Sequence, residues 1–188
     1  MVWELLRGER RRIVALRYAV RLLSVLSISL LPIRALKAQE DPSRQFYELI
    51  NGVWISQGLP PYGSSTLLSQ AAQRHAEDIA KIGNATHEGS DGSDYRQRIR
   101  EARYQAWNDG LLVNEAIWIG LGTAEDAVNW FRDNPEGAFF TDERYREIGI
   151  GFAEDSGIRY FVINVGSRPG VLPIFINDGA DATDSPVV

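Results

Sequence analysis

The chain has two histidines and no cysteine, so its chemistry rests on imidazole and carboxylate groups. Without cysteine, thiol catalysis and thiolate metal sites are excluded. His87 lies in Asn84-Ala85-Thr86-His87-Glu88-Gly89, a polar, turn-forming stretch where a lone histidine is ordinarily solvated. His75 is different. It shares a helical apolar stripe with Leu68, Ala72, Ala76 and Ile79, where a satisfied, half-buried histidine outside any site is expected. Glu115 lies between Val113 and Ile117 in an apolar run, and the period of two puts all three on one face. A carboxylate on a buried face needs a partner. The backbone, a basic side chain or His87 across a cleft would each serve. Glu147 opens Glu147-Ile148-Gly149-Ile150-Gly151-Phe152 and reads as a strand start or a rim residue. Glu136, in Pro135-Glu136-Gly137, reads by itself as solvated. Ser90 follows His87 by three residues, but no Ser-His-Asp pattern accompanies it.

These residues are carried by a recognisable run of elements. Asp41-Pro42-Ser43 opens a helix over about 44–57, whose apolar positions are Phe46, Leu49, Ile50, Val53 and Trp54. It stops near Gly58-Leu59-Pro60-Pro61. Gly63-Ser64-Ser65 starts a second helix over about 65–82 that ends at Gly83-Asn84. A turn-rich loop, 84–93, leads to a short helix over Asp94–Ala102 and a linker over Gln105–Gly110. Strands follow near 113–119, 147–152 and 159–165, the last two joined by the turn Glu154-Asp155-Ser156-Gly157. Between the first strand and the second lie a helix over 124–132, capped by Thr123, and an irregular crossing over Asp133–Glu143. Helices before and between a few antiparallel strands give an α+β fold and not a βαβ series.

The first 38 residues differ from the rest. They hold eight basic and two acidic side chains, leaving 12 basic against 23 acidic in 39–188, a formal charge of −11 for the body. A basic stretch to Arg21, an apolar stretch Leu22–Ile33 and the small Ala38 follow the order of a signal peptide. The apolar run is short for a membrane span of about 20 residues. An uncleaved anchor using the same run is the alternative, and the only expected contact with a membrane. A body of 150 residues without disulfides can rely on its core, burying roughly 68–70% of its unfolded surface. Its acidity excludes nucleic-acid backbones as partners but not cations. A monomer is expected. Residues 167–188 form a tail in which Val171–Asn177 is strand-like, like the start of a further β-rich module.

Several stretches, in order, resemble the CAP superfamily, also called SCP domains (cysteine-rich secretory proteins, antigen 5, pathogenesis-related proteins), and particularly its bacterial extracellular branch. They are Leu49-Ile50-Asn51 with Gly58-Leu59-Pro60-Pro61, then Leu68–Ala80 (LSQAAQRHAEDIA), then Thr86–Ser93 (THEGSDGS). Tyr104, Glu115-Ala116-Ile117, Trp130 and Glu147-Ile148-Gly149-Ile150-Gly151 complete the series. The similarity runs over 43–166, so a CAP/SCP domain is expected over 39–166.

The resemblance implies a three-layer α-β-α sandwich with a small antiparallel sheet and a cleft bearing two His and two Glu. Carried over by position, these are His87, Glu115 and Glu147, with Glu136 where the second His is usual. Ala116 replaces the family's Asn after the first Glu. Three converging carboxylates cannot all stay ionised without a cation. Either a divalent ion held by His87, Glu115 and Glu147 would sit there, or one carboxyl would be protonated and His87 cationic. Such an oxygen-rich set suits Ca²⁺, Mg²⁺ or Mn²⁺ better than Zn²⁺. The functional expectation is an exported binding module for a small ligand, lipid, glycan or protein outside the cell or at its surface. The alternative is a hydrolase, metal-assisted or acid/base, with Glu115 or Glu147 as base and His87 as acid.

Export with cleavage after Ala38 predicts a secreted product beginning at Gln39, to be read by mass spectrometry. A soluble cytoplasmic product retaining Met1–Ala38 would contradict it.

Overall fold

A computed structural model of the chain describes residues 41–106 and 110–169. The expected signal segment over 1–38 and the strand-like run Val171–Asn177 lie outside the described residues. Among the described residues no helix is long and apolar enough to cross a membrane.

Helix α1 spans Pro42–Ser56, with Pro42 in its first turn and the Asp41 side chain accepting from Ser43 N–H at 3.0 Å. Phe46, Ile50 and Trp54, four residues apart, form its buried stripe. Helix α2, Thr66–Ile82, is capped by Ser65 and closed by Gly83 in the left-handed conformation. Helix α3 is Tyr95–Glu101, capped by Asp94. Helix α4, Ala124–Asp133, begins with a reciprocal capping box between Thr123 and Asp126. The crossing expected to be irregular contains a 3-10 helix, Pro135–Thr141, entered through Pro135.

The sheet has four strands: β1 (Gly63–Ser64), β2 (Leu112–Gly120), β3 (Glu147–Asp155) and β4 (Ile158–Ser167), in the order β1-β3-β4-β2. The three long strands are antiparallel. β3 and β4 join through Ser156 and Gly157, both at positive φ, as a two-residue hairpin turn requires. Strand β1 has no counterpart among the expected elements. Gly63–Ser64, whose sequence reads as the approach to α2, pairs parallel with Glu147 and Ile148.

Alternation along the strands divides the core. Ala116, Trp118, Ile148, Ile150, Phe161, Ile163 and Val165 pack on α1 and α4. Ile117, Tyr160 and Val162 pack on α2 through Ala72, Ala76 and Ile79, and Val113 meets Leu68, Ile99 and Tyr104. The result is an α-β-α sandwich with α1 and α4 on one face and α2 and α3 on the other.

Helix α2 lies unusually close to β3. A Cβ at Gly149 would come within 2.2 Å of Ser69 N, and one at Gly151 within 2.3 Å of the Ala72 carbonyl carbon. The exposed side of β3 is then closed by the same helix. Gln73 accepts from Phe152 N–H at 2.9 Å and donates to Phe152 O at 3.0 Å, as a neighbouring strand would.

Gly151→Ala should destabilise the domain by about 2 kcal/mol through forced separation of α2 from the sheet. Gly52→Ala, at an exposed helical position with nothing within 4 Å, should stabilise it by about 0.5–1 kcal/mol. Thermal unfolding of the two variants checks both signs.

Candidate functional site

Glu115 is central to the site. It occupies the middle of β2, and alternation turns its side chain toward α2 and α3 together with Val113 and Ile117. Antiparallel register sets it opposite Asn164 on β4. The side chain is fully buried. Arg98, on α3 and itself buried, places Nη2 3.0 Å from both carboxylate oxygens. The hydrogen-bond network orients the Asn164 amide so that Nδ2 donates to Glu115 Oε2 at 3.2 Å and Oδ1 accepts from Ala72 N–H at 3.2 Å. His87 Nδ1 lies 3.0 Å from Glu115 Oε1.

His87 is delivered by the loop between α2 and α3, and that loop is fastened from beneath. Arg98 Nη2 donates to His87 O at 3.1 Å, and Nη1 donates to Ser93 O at 2.6 Å. Asp78 accepts from both Ser90 N–H and the Ser90 hydroxyl. Arg74 pairs with Asp91 at 2.6 Å and also with Glu101. The backbone folds over Gly89 and over Gly92, which is at φ +77°. The His87 ring remains 56% exposed while its partner carboxylate is buried. The hydrogen bond to Glu115 raises the His87 pKa above its ordinary value, against some desolvation and with a smaller contribution from Glu136. Glu136 itself is exposed on the 3-10 helix.

His75 departs from expectation. It is completely buried, not half-buried, and belongs to the same cluster. Its Nε2–H donates to Thr86 O at 2.7 Å, and Nε2 is 3.9 Å from Glu115 Oε1. Burial lowers its pKa, so the ring is neutral.

Glu147 belongs to a second cluster. It is 1% exposed, not a rim residue, because β1 covers the start of β3. Arg168 donates to it from Nη2 at 2.5 Å and from Nε at 3.1 Å, and the Tyr104 hydroxyl donates at 2.7 Å. The Arg168 guanidinium stacks 4.3 Å from the centre of the Tyr104 ring. Burial and the adjacent Glu147 push the Tyr104 pKa up, so its hydroxyl stays a donor.

The divalent cation expected on His87, Glu115 and Glu147 finds no matching donor set among the described residues. Among the described residues no group of three or more His, Asp or Glu side chains is arranged to hold a metal. The donor set does not fit one, since both oxygens of each glutamate are already engaged by a guanidinium and by neutral donors. The required positive charge is present as Arg98 and Arg168. Sequence reasoning passed over both. Arg98 shares a helical face with Tyr95, Ile99 and Ala102, a spacing that marks it as the inward arginine among Arg96, Arg98 and Arg100. Arg168 falls beyond the expected domain end at 166 and gave no such signal.

The family description "Cysteine-rich secretory protein family" (CAP) matches residues 47–165, from α1 to the end of the core of β4. The chain belongs to the CAP family. No curated protein sequence matches it. Among solved structures it is similar to an outer surface protein of Borrelia burgdorferi, with a TM-score of 0.59 and 19% identity over 69% of this chain and 94% of that one. It is also similar to an SCP-domain extracellular protein of Bacillus anthracis, with a TM-score of 0.58 and 15% identity over 66% of this chain and 39% of the other. A cysteine-rich secretory protein of Staphylococcus aureus aligns with a TM-score of 0.51 and 14% identity, covering 70% and 40%. The chain thus spans about two fifths of the Bacillus and Staphylococcus proteins. At these identities the likeness establishes the shared CAP fold. This member carries the family's name without a cysteine.

The two histidines should titrate in opposite senses. The charged His87 supplies stability that is complete below about pH 6.5 and lost as pH rises through its raised folded value. His75 supplies stability that is present above about pH 6.5 and lost as pH falls toward its lowered value. NMR titration should place His87 above and His75 below the ordinary midpoint, and Glu136→Gln should lower the His87 midpoint alone. Arg98→Ala, which strands a buried carboxylate, should cost about 3–5 kcal/mol in denaturant unfolding.

Proposed function

We propose that this chain is an exported CAP domain that acts as a binding module for a small amphiphilic ligand, seated between α1 and the segment formed by α4 and the 3-10 helix. The observation that carries this reading is a cavity of about 390 Å³ lined by Ile50, Val53, Trp54, Phe131 and Phe140. Its size falls within the roughly 300–1,000 Å³ of small-molecule sites. An apolar ligand matches that lining, since it buries hydrocarbon against it. The polar rim, with Gln57, Arg132 and Asn134, leaves room for a charged head at the mouth.

Export is supported by the basic-apolar-small order of residues 1–38. The outer surface and extracellular proteins among the structural neighbours agree with it. The hydrolase reading lacks comparable support. Glu115 and Glu147 are each held by an arginine, and the Ser90 hydroxyl is given to Asp78 and not to a histidine.

Calorimetric titration with decanoic acid tests the binding reading. Saturable binding is expected. Val53→Trp, which fills the cavity from a half-buried position, should weaken it at least tenfold with little change in Tm. Equal affinity in the variant, or no binding by the parent, would refute the assignment.

A further inference from the structure

Helix α3 divides its residues among three faces. Tyr95, Arg98, Ile99 and Ala102 turn toward the core. Gln97 and Glu101, one turn apart, bond to each other, and Glu101 also takes Arg74 of α2. Arg96 and Arg100 occupy the remaining face, and Arg103 continues the i, i+4, i+7 spacing just past the helix end. All three are exposed. Among the described residues none of them is in an ion pair, whereas Arg44, Arg74, Arg132, Arg144 and Arg159 each hold a carboxylate at the surface. Arg96 does no more than stack over the Tyr95 ring at 5.0 Å. Like charges one turn apart repel, so the row works against the helix that carries it.

Arg103 works against the backbone too. It stands at φ +67°, in the left-handed region. Its N–H donates to Arg100 O at 2.9 Å and Tyr104 N–H donates to Ile99 O at 3.1 Å, a helix stop where glycine is the usual residue. Helix α2 ends on Gly83 in that conformation. What an arginine adds here over a glycine is its charge.

An anionic occupant for this row is present in the same chain. Residues 169–188 contain no basic side chain and three aspartates at equal spacing, Asp178, Asp181 and Asp184. The segment is rooted beside the row. Arg168 is fixed to Glu147 and lies 4.3 Å from the centre of the Tyr104 ring, and Tyr104 directly follows Arg103. Asp178 is ten positions beyond Arg168, a reach of up to about 33 Å, against ~10 Å for the length of α3. Each exposed ion pair contributes little alone. A tether of this length supplies an effective concentration of the order of mM, which offsets that weakness. We propose that the outer face of α3, formed by Arg96, Arg100 and Arg103, is a docking surface for the chain's own acidic segment, residues 178–184. The contact is electrostatic and reversible, and it is independent of the amphiphile pocket.

The chain has no cysteine, so Ser185→Cys in the full chain carries a nitroxide at a single place. Paramagnetic broadening of backbone amides then reads where the tail lies. Strong broadening is expected at the amides of 96–103 when the Debye length is about 30 Å, at ~0.01 M salt, and its loss when that length is about 3 Å, at ~1 M. The effect should persist on tenfold dilution, as an intramolecular contact must. Replacing Asp178, Asp181 and Asp184 together by Asn should reduce it at least threefold, and Arg96→Gln with Arg100→Gln should do the same. Arg103→Gly removes charge and strain together, so it should reduce the broadening while leaving Tm equal or higher. The proposal is overturned if these amides are not broadened at low salt, or if the three Asn replacements or Arg103→Gly leave the broadening unchanged. Loss on dilution also overturns it, because the occupant is then the tail of a second copy. So does a parent whose tail stays away while added poly-glutamate shifts the same amides, because the face then serves an external polyanion.

Discussion

The ion pair between Arg98 and Glu115 organises this side of the domain. Glu115 must face α2 and α3 because its neighbours Val113 and Ile117 do, and no position of β2 can turn its carboxylate to solvent without turning them as well. A carboxylate in that place requires a cation and donors. Arg98 supplies the charge, and its terminal N–H groups also reach back to His87 O and Ser93 O. One guanidinium thus ties a strand, a short helix and a ten-residue loop together. Burial of such a pair does not by itself guarantee net stability, but removing one partner is costly. The value of the pair lies in geometry, because it fixes where His87 stands.

The same solution appears twice. Glu147 is held by Arg168 and Tyr104 much as Glu115 is held by Arg98, Asn164 and His87. A buried carboxylate left bare at either place would be costly to keep ionised. Here each is neutralised locally, and the histidine most exposed to solvent is left as the titrating group. Glu136 agrees with this arrangement, because an exposed carboxylate near His87 favours its protonated form.

The close approach of α2 to the sheet links the polar clusters to the core. Gly149 and Gly151 remove side chains beneath the helix, and Ser69 and Gln73 satisfy the backbone of β3 from above. Drawn down in this way, α2 brings His75 into contact range of Glu115 and brings Asp78 and Arg74 over the loop.

Periodicity, caps and turn residues act over a few positions, so the sequence alone determined the helices, the three long strands and the hairpin at Ser156-Gly157. Motif order determined the family. The need of Glu115 for a partner was also legible, since its face followed from alternation. Which partner it takes was not, because Arg98 is seventeen positions away and meets it only when α3 folds against β2. His75 read as an ordinary stripe residue, and only packing against the 84–93 loop made it part of the cluster. Strand β1, two residues long, carries too little pattern to be read, yet it buries Glu147. Arg168 lies past the last family motif, and its ion pair exists only because β1 and β4 bracket the start of β3. Local interactions write themselves into short stretches of sequence, whereas the charge partners of buried carboxylates are decided by long-range packing, which no local spacing encodes.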